Sequence, residues 1–137
     1  MPRVNHVAFI GMAALVPVVG ATIAFGPTVP AHADDLWIAV AVSESSGESA
    51  TQSGYTNVAA AQAARNDCNR IGHVYDCQLL AFGQGGCVAT ATPGFPNTIR
   101  GAWAASRQEA IVAALAQVPQ GSRARADCLG DPGLQQR

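Results

Sequence analysis

The stretch CNRIGHVYDC, from Cys68 to Cys77, combines residue types that bind zinc, carry redox chemistry or form disulfides. A zinc site would use both thiolates and His73, but it needs a fourth ligand, and the C-x2–4-C spacing of common zinc sites is missing. A thioredoxin-like redox site needs C-x-x-C, which the chain also lacks. The spacing therefore favours a structural disulfide clip between Cys68 and Cys77, with His73 as a solvated side chain on its loop.

Carboxylates are the other groups with catalytic potential. Glu44, Glu48 or Asp76 would support a small exported hydrolase if folding brought two carboxylates together and raised one pKa. The serine-rich run SESSGES contains neither G-x-S-x-G nor S-x-x-K, and GQGG is not followed by the G-K-[ST] of a phosphate-binding loop. We therefore assign no catalytic, cofactor-binding or metal-binding residue from the sequence, and a non-catalytic role is favoured over an enzymatic one.

The first part of the chain indicates export. Residues 1–33 contain Arg3 as their only formal charge, an apolar run from Val7 to Gly26 and an A-x-A motif before Asp34, the three features of a cleavable signal peptide. An uncleaved anchor is the alternative, since about 20 apolar residues span a bilayer. We expect cleavage before Asp34, no stable membrane insertion afterwards, and a secreted protein located outside the cell or in the cell envelope.

Length and composition predict one small domain over residues 34–129, with a disordered tail over residues 130–137. The chain has nine acidic and eight basic residues, so its formal net charge is −1. The arginines form no stripe, and nucleic-acid binding, which requires a basic patch, is excluded on this ground. The four cysteines all follow the predicted signal peptide, and an even number in an oxidising compartment is typical of a disulfide framework.

Hydrophobic patterns predict strands that alternate with two helices. Thr56 is positioned to cap the first helix, which Gly72 would end, and Ser106 with Glu109 forms an S-x-x-E capping box at the start of the second helix. The predicted strands lie at LWIAVAVS, ESATQSGY, DCQLLAFG, CVATAT, TIRGAWA and ARADCL.

The order of these elements nearly repeats itself. The two caps, Thr56 and Ser106, lie 50 positions apart (106 − 56), and the alanines that follow them keep almost the same spacing. We therefore predict a single α+β domain, a mostly antiparallel sheet with two helices on one face. It would be built from two β-β-α units and a final strand, and braced by disulfides.

The repeat also distinguishes among the three pairings that four cysteines allow. Cys68 at the end of the first helix is close to Cys77, which lies on the predicted strand just after it. Val118 stands at the position of the second unit that matches Cys68, so Cys128 has no local partner there. By elimination Cys128 pairs with Cys87, which would attach the last strand to the middle of the sheet.

Several of these segments, taken in order, resemble a known family. They are WIAVAVS, the turn GYTN, an alanine-rich helix that ends in cysteine, DCQLLAF, GGCVATA and a second capped helix before a final cysteine. They look like a family of small secreted domains of unknown function, domain of unknown function 4189, frequent in mycobacteria and related actinobacteria. The resemblance covers about Trp37 to Cys128 and implies no established catalytic residues.

Taken together, these patterns favour a secreted, non-catalytic protein that binds a macromolecule or a component of the cell envelope, and the small exported hydrolase is the alternative. Phe95, in the loop PGFPN, is the candidate contact residue because a large aromatic side chain there is expected to be exposed.

Overall fold

The computed structural model describes residues 33–94 and 98–134. Within these ranges, a short 3-10 turn at Ala33–Asp35 precedes six strands and two α-helices. In chain order they are β1 (Trp37–Val42), β2 (Ser49–Gly54), α1 (Asn57–Gly72), β3 (Gln78–Gln84), β4 (Cys87–Thr92), β5 (Arg100–Ala104), α2 (Arg107–Leu115) and β6 (Arg123–Cys128). The predicted α+β class and the predicted order of strands and helices are confirmed.

The two halves of the chain share one topology. In the first half β1 lies between β2 and β3, and in the second half β4 lies between β5 and β6, with every pairing antiparallel. The first strand of each half is therefore central, and the strand after the helix lies on the side opposite the second strand. The internal repeat of two β-β-α units, each followed by a strand, is confirmed.

The strands form two three-stranded sheets, which corrects the single sheet expected from the sequence. The chain leaves β3 through Gly85 and Gly86, whose φ angles are 67° and 68°. Glycine occupies this backbone region without the steric cost that a Cβ brings. The resulting turn directs β4 into the second sheet, so that it does not pair with β3 in the first.

Each helix packs on the outer face of its own sheet, so the helices do not share one face as predicted. Ala60 and Ala64 of α1 pack against β1, and Ala110 and Ala114 of α2 pack against β4. All four side chains are fully buried. Methyl groups at these positions allow each helix axis to approach its sheet closely.

The inner faces of the two sheets pack against each other. Ile38 and Val40 of β1 share one buried cluster with Val88 of β4 and Ile99. Because side chains alternate along a strand, β1 buries its other face, with Ala39, under α1. The layers therefore run helix, sheet, sheet, helix, and both central strands are covered on both sides.

Side-chain caps begin both helices as predicted. The Thr56 side chain accepts a hydrogen bond from the Ala59 N–H at 3.1 Å, and the Ser106 side chain accepts one from the Glu109 N–H at 3.3 Å. The first helix extends through Gly72, and the residue that ends it is His73, in the left-handed region with φ 52°.

The chain after β6 contacts the domain, although the sequence predicts a tail from Gly130 onward. Arg107 holds the Asp131 carboxylate with two hydrogen bonds of 2.7 Å, and the Cys128 N–H donates to the same carboxylate at 2.7 Å. Leu134 packs against the cluster between the sheets. Within the described residues, the chain therefore keeps contact with the domain as far as Leu134, and the disorder expected over residues 130–137 stays a prediction.

Candidate binding groove beside the disulfide clip

Both disulfides expected from the sequence are present. Cys68 in the last turns of α1 is bonded to Cys77, and their Cα atoms are 6.1 Å apart, within the usual range for a disulfide. Cys87 and Cys128 are bonded between directly paired positions of β4 and β6. The first bond closes a short loop at the protein surface, and the second joins two strands of one sheet.

The disulfide loop is held by hydrogen bonds as well as by its covalent bond. The Asn69 side-chain carbonyl accepts from the Cys77 N–H at 3.1 Å, and the Asn69 backbone carbonyl accepts from the N–H groups of His73 and Val74. Hydrogen bonds to Asn69 therefore hold both the middle of the loop, at His73 and Val74, and its end at Cys77.

A third attachment joins the loop to the turn between β1 and β2. The buried Ser43 hydroxyl donates to the Asp76 carboxylate at 2.7 Å and lies 3.1 Å from the Ser45 hydroxyl. Hydrogen bonds from the side chains of Ser45 and Ser43 hold the pKa of Asp76 below its usual range. Asp76 is therefore an ionised acceptor that positions the loop.

The same loop presents an aromatic side chain to solvent. Tyr75 is 98% exposed, and His73 is exposed two residues before it. Both border a surface groove of about 510 Å3, which we call the clip groove; it is lined by Asn66, Asn69, Arg70, His73, Val74 and Tyr75. A second depression of about 400 Å3 continues along the outer face of α1 and shares Asn66 and Arg70 with it.

The charges in the groove are balanced. Arg70 forms an ion pair with Asp67 one helical turn earlier, and Asp67 also accepts from the Gln52 side chain at 2.8 Å. The clip groove therefore places amide groups, an imidazole and a paired guanidinium beside the aromatic ring of Tyr75.

A smaller polar cavity of about 240 Å3 lies where β2 meets β6. Thr51 donates to Asp127 at 2.7 Å, and Arg125 pairs with the other oxygen of that carboxylate at 3.3 Å. The nearby Asp131 has its pKa lowered, mainly by the Cys128 N–H and then by Arg107. These side chains are one another's hydrogen-bond and ion-pair partners. They join the two sheets to residues after β6, so we assign them a structural role.

The three carboxylates considered for hydrolysis are all exposed, and one of them accepts a hydrogen bond from a serine. Glu44 and Glu48 are exposed in the β1–β2 turn, and Asp76 accepts from the Ser43 hydroxyl. A carboxyl that serves as general acid near neutral pH needs a raised pKa, whereas the pKa of Asp76 is lowered. Within the described residues, Asp76 therefore lacks the raised pKa that the hydrolase alternative requires of a general acid.

The contact residue predicted from the sequence is Phe95, whereas the exposed aromatic residue beside the clip groove is Tyr75. Phe95 lies outside the described residues, so its candidate role stays a prediction. Sequence reasoning passed over Tyr75, although its place between two bonded cysteines and after a helix end is a signal for a surface loop. His73 is exposed, as expected, and the sulfur atoms on either side of it are joined in the disulfide.

These features define a small α+β domain with two disulfides and a surface groove at one of them. The chain belongs to the family described as Domain of unknown function (DUF4189), whose model matches residues 37–129. No curated protein matches the chain, and no solved structure matches it. Neither of the helices within residues 33–94 and 98–134 is long and apolar enough to cross a membrane.

Proposed function

We propose that this protein is a secreted, non-catalytic binding protein that recognises a macromolecule or a component of the cell envelope through the clip groove. The observation that carries the proposal is the 98% exposure of Tyr75 on a loop held by the Cys68–Cys77 disulfide. An aromatic ring fully exposed to water gains nothing from the fold, whereas aromatic residues are enriched where proteins bind partners.

The rigidity of the loop supports the same role. Binding costs free energy when flexible groups must be ordered, and a loop ordered in advance reduces that cost. Here the disulfide, the Asn69 contacts and the Asp76–Ser43 hydrogen bond order the loop before any partner arrives.

Secretion remains part of the proposal. The signal-peptide features of residues 1–33 support it, and two disulfides are compatible with an oxidising compartment. We also expect an actinobacterial source, as the family resemblance implies.

The test uses protein exported from the full chain and purified from the culture medium with its disulfides intact. N-terminal sequencing should give a chain that begins at Asp34. Immobilised wild-type protein, Tyr75→Ala and Tyr55→Ala should then be compared for capture from native secretome and envelope fractions. Tyr55 is a matched control because it is 65% exposed and does not line the groove.

We expect a component that is retained by the wild type and by Tyr55→Ala but lost with Tyr75→Ala. Equal retention by all three proteins would contradict a role for the groove. An intact mass that still includes residues 1–33 would contradict the cleaved, secreted form.

A further inference from the structure

We infer that the clip groove binds an uncharged polysaccharide; this inference rests on the proposed function and specifies its ligand. Sugar rings combine apolar C–H faces with a rim of hydroxyl groups. A site for them therefore needs a flat apolar surface and neutral hydrogen-bonding groups beside it, and the clip groove has both.

Tyr75 supplies the flat surface. Its ring presents two open faces, because the side chain is almost fully exposed. An aromatic side chain with a polar tip packs apolar groups against its face while its hydroxyl stays hydrogen-bonded. A sugar ring seated on Tyr75 would pack on the ring face, while the hydroxyl stays hydrogen-bonded to water.

The neighbouring side chains supply hydrogen bonds that suit hydroxyl groups. The carbonyl oxygen of Asn69 accepts from the Cys77 N–H, and the NH2 group of the same side chain is a hydrogen-bond donor. Asn66 carries both a donor and an acceptor, and the imidazole of His73 adds further hydrogen-bonding nitrogen atoms. Hydroxyl groups donate and accept, so they match this mixture.

The charge balance points away from a polyanion. Nucleic acids and acidic polymers are bound by unpaired lysine and arginine side chains. The arginine of the clip groove, Arg70, is paired with Asp67, and the whole chain carries a formal net charge of −1. An uncharged ligand needs no disruption of that pair.

The backbone at His73 is a further sign that its side chain is used. A residue with a Cβ is strained in the left-handed region, and glycine or asparagine is the usual occupant after a helix. Strained residues are found disproportionately at binding and active sites. A histidine with φ 52° at the rim of the groove fits a side chain kept for contact with a ligand.

The shape of the surface indicates a chain and not a single sugar. The clip groove of about 510 Å3 continues into the depression of about 400 Å3, with Asn66 and Arg70 bordering both. The two together follow α1, so an extended oligosaccharide would lie along the helix with one sugar ring on Tyr75.

The experiment measures binding of the exported, oxidised protein to an array of neutral oligosaccharides derived from glucan, mannan, galactan and chitin. Heparin and anionic phospholipid vesicles are included as charged probes. The best neutral oligosaccharide is then titrated by calorimetry against wild type, Tyr75→Ala, Tyr75→Phe and Tyr55→Ala. We expect Tyr75→Ala to weaken binding at least tenfold, which corresponds to about 1.4 kcal/mol. Tyr75→Phe and Tyr55→Ala should stay close to wild type.

The outcomes separate this inference from the proposed function. Absence of binding to all four neutral sugar classes would overturn the inference, as would preferential binding to heparin or vesicles, or titrations unaffected by Tyr75→Ala. Capture of an envelope protein that depends on Tyr75 but is not displaced by sugars would overturn it while leaving the proposed function standing. Circular dichroism of each variant shows whether a loss reflects unfolding.

Discussion

The indole of Trp103 on β5 lies directly against the backbone of Gly83 on β3, and its Nε1 donates to the Gly85 carbonyl at 2.9 Å. At a neighbouring position the glycine is on β5 and the large side chain is on β3. A Cβ built on Gly101 of β5 would lie 2.7 Å from the Leu80 Cβ of β3. Each sheet therefore contributes one glycine and one large side chain to this junction. The sheets can approach closely here only because both glycines lack a side chain.

Replacement of Gly83 with alanine should be strongly destabilising. The added methyl group would overlap the Trp103 indole, and overpacking of this kind costs about 1–3 kcal/mol. Urea unfolding would measure the loss. Gly94→Ala is the matched control, since its added Cβ meets no described atom within 4 Å outside the neighbouring residues, and its effect should stay within about 0.5 kcal/mol. The Gly83→Ala, Trp103→Ala double variant should cost less than the sum of its single changes; additive costs would contradict the contact.

The two disulfides should differ in their contribution to stability. The Cys87–Cys128 bond links residues 41 positions apart and the Cys68–Cys77 bond residues 9 apart. On the chain-entropy model, the first restricts the unfolded chain by about 4 kcal/mol and the second by about 3 kcal/mol. Paired serine variants compared by urea unfolding should follow that order. A larger loss from the short loop would show that native contacts, and not loop length, set the difference.

Acid should weaken the attachment of the clip. The pKa of Asp76 is lowered from 3.8 in the folded state, so its hydrogen bonds stabilise the fold above that ordinary value, and the contribution is lost as pH falls through the folded-state pKa. Asp76→Asn should therefore lower stability at about pH 6, and its difference from wild type should shrink towards about pH 3. Chemical unfolding at both pH values measures this. A difference that is constant with pH would rule out ionised Asp76 as the anchor.

His73→Gly should separate stability from binding. Glycine removes the strain of a left-handed histidine, so we expect stability to rise by up to about 1 kcal/mol while oligosaccharide binding falls. His73→Ala is the control because it removes the imidazole but keeps a Cβ. It should weaken binding similarly and leave stability within about 0.5 kcal/mol of wild type. If both variants bind as the wild type does, the imidazole is not part of the site.

Local patterns in the sequence are sufficient to predict the strands and helices of this fold. Helix caps at Thr56 and Ser106 depend on a side chain and the backbone three residues later, so their signals are contained in short stretches. The repeat made the cysteine pairs predictable as well, because Cys128 had no counterpart of Cys68 near it. These features were predicted without knowledge of how the sheets pack.

The residues that form the candidate site were only partly predictable. Cys68 and Cys77, with His73 between them, mark the loop that borders the clip groove, and their spacing correctly indicated a disulfide. The sequence gives no expectation for the exposure of Tyr75, because residue type alone does not decide how far an aromatic side chain is buried. Exposure depends on how α1 and the β1–β2 turn hold the loop, which involves Asn69 and Ser43.

The α+β class, the strand and helix order, the internal repeat and the disulfide pairs follow from the amino-acid sequence, because each depends on short-range periodicity or on elimination among a few cysteines. The division of the strands into two sheets, with a helix outside each, depends on contacts between distant residues. Alternation marks a strand but not its neighbours, and the turn at Gly85 and Gly86 selects which sheet β4 joins. The contacts of Asp131 and Leu134 with the domain are likewise seen only in the tertiary structure, since ion pairs and apolar contacts between distant residues leave no local pattern.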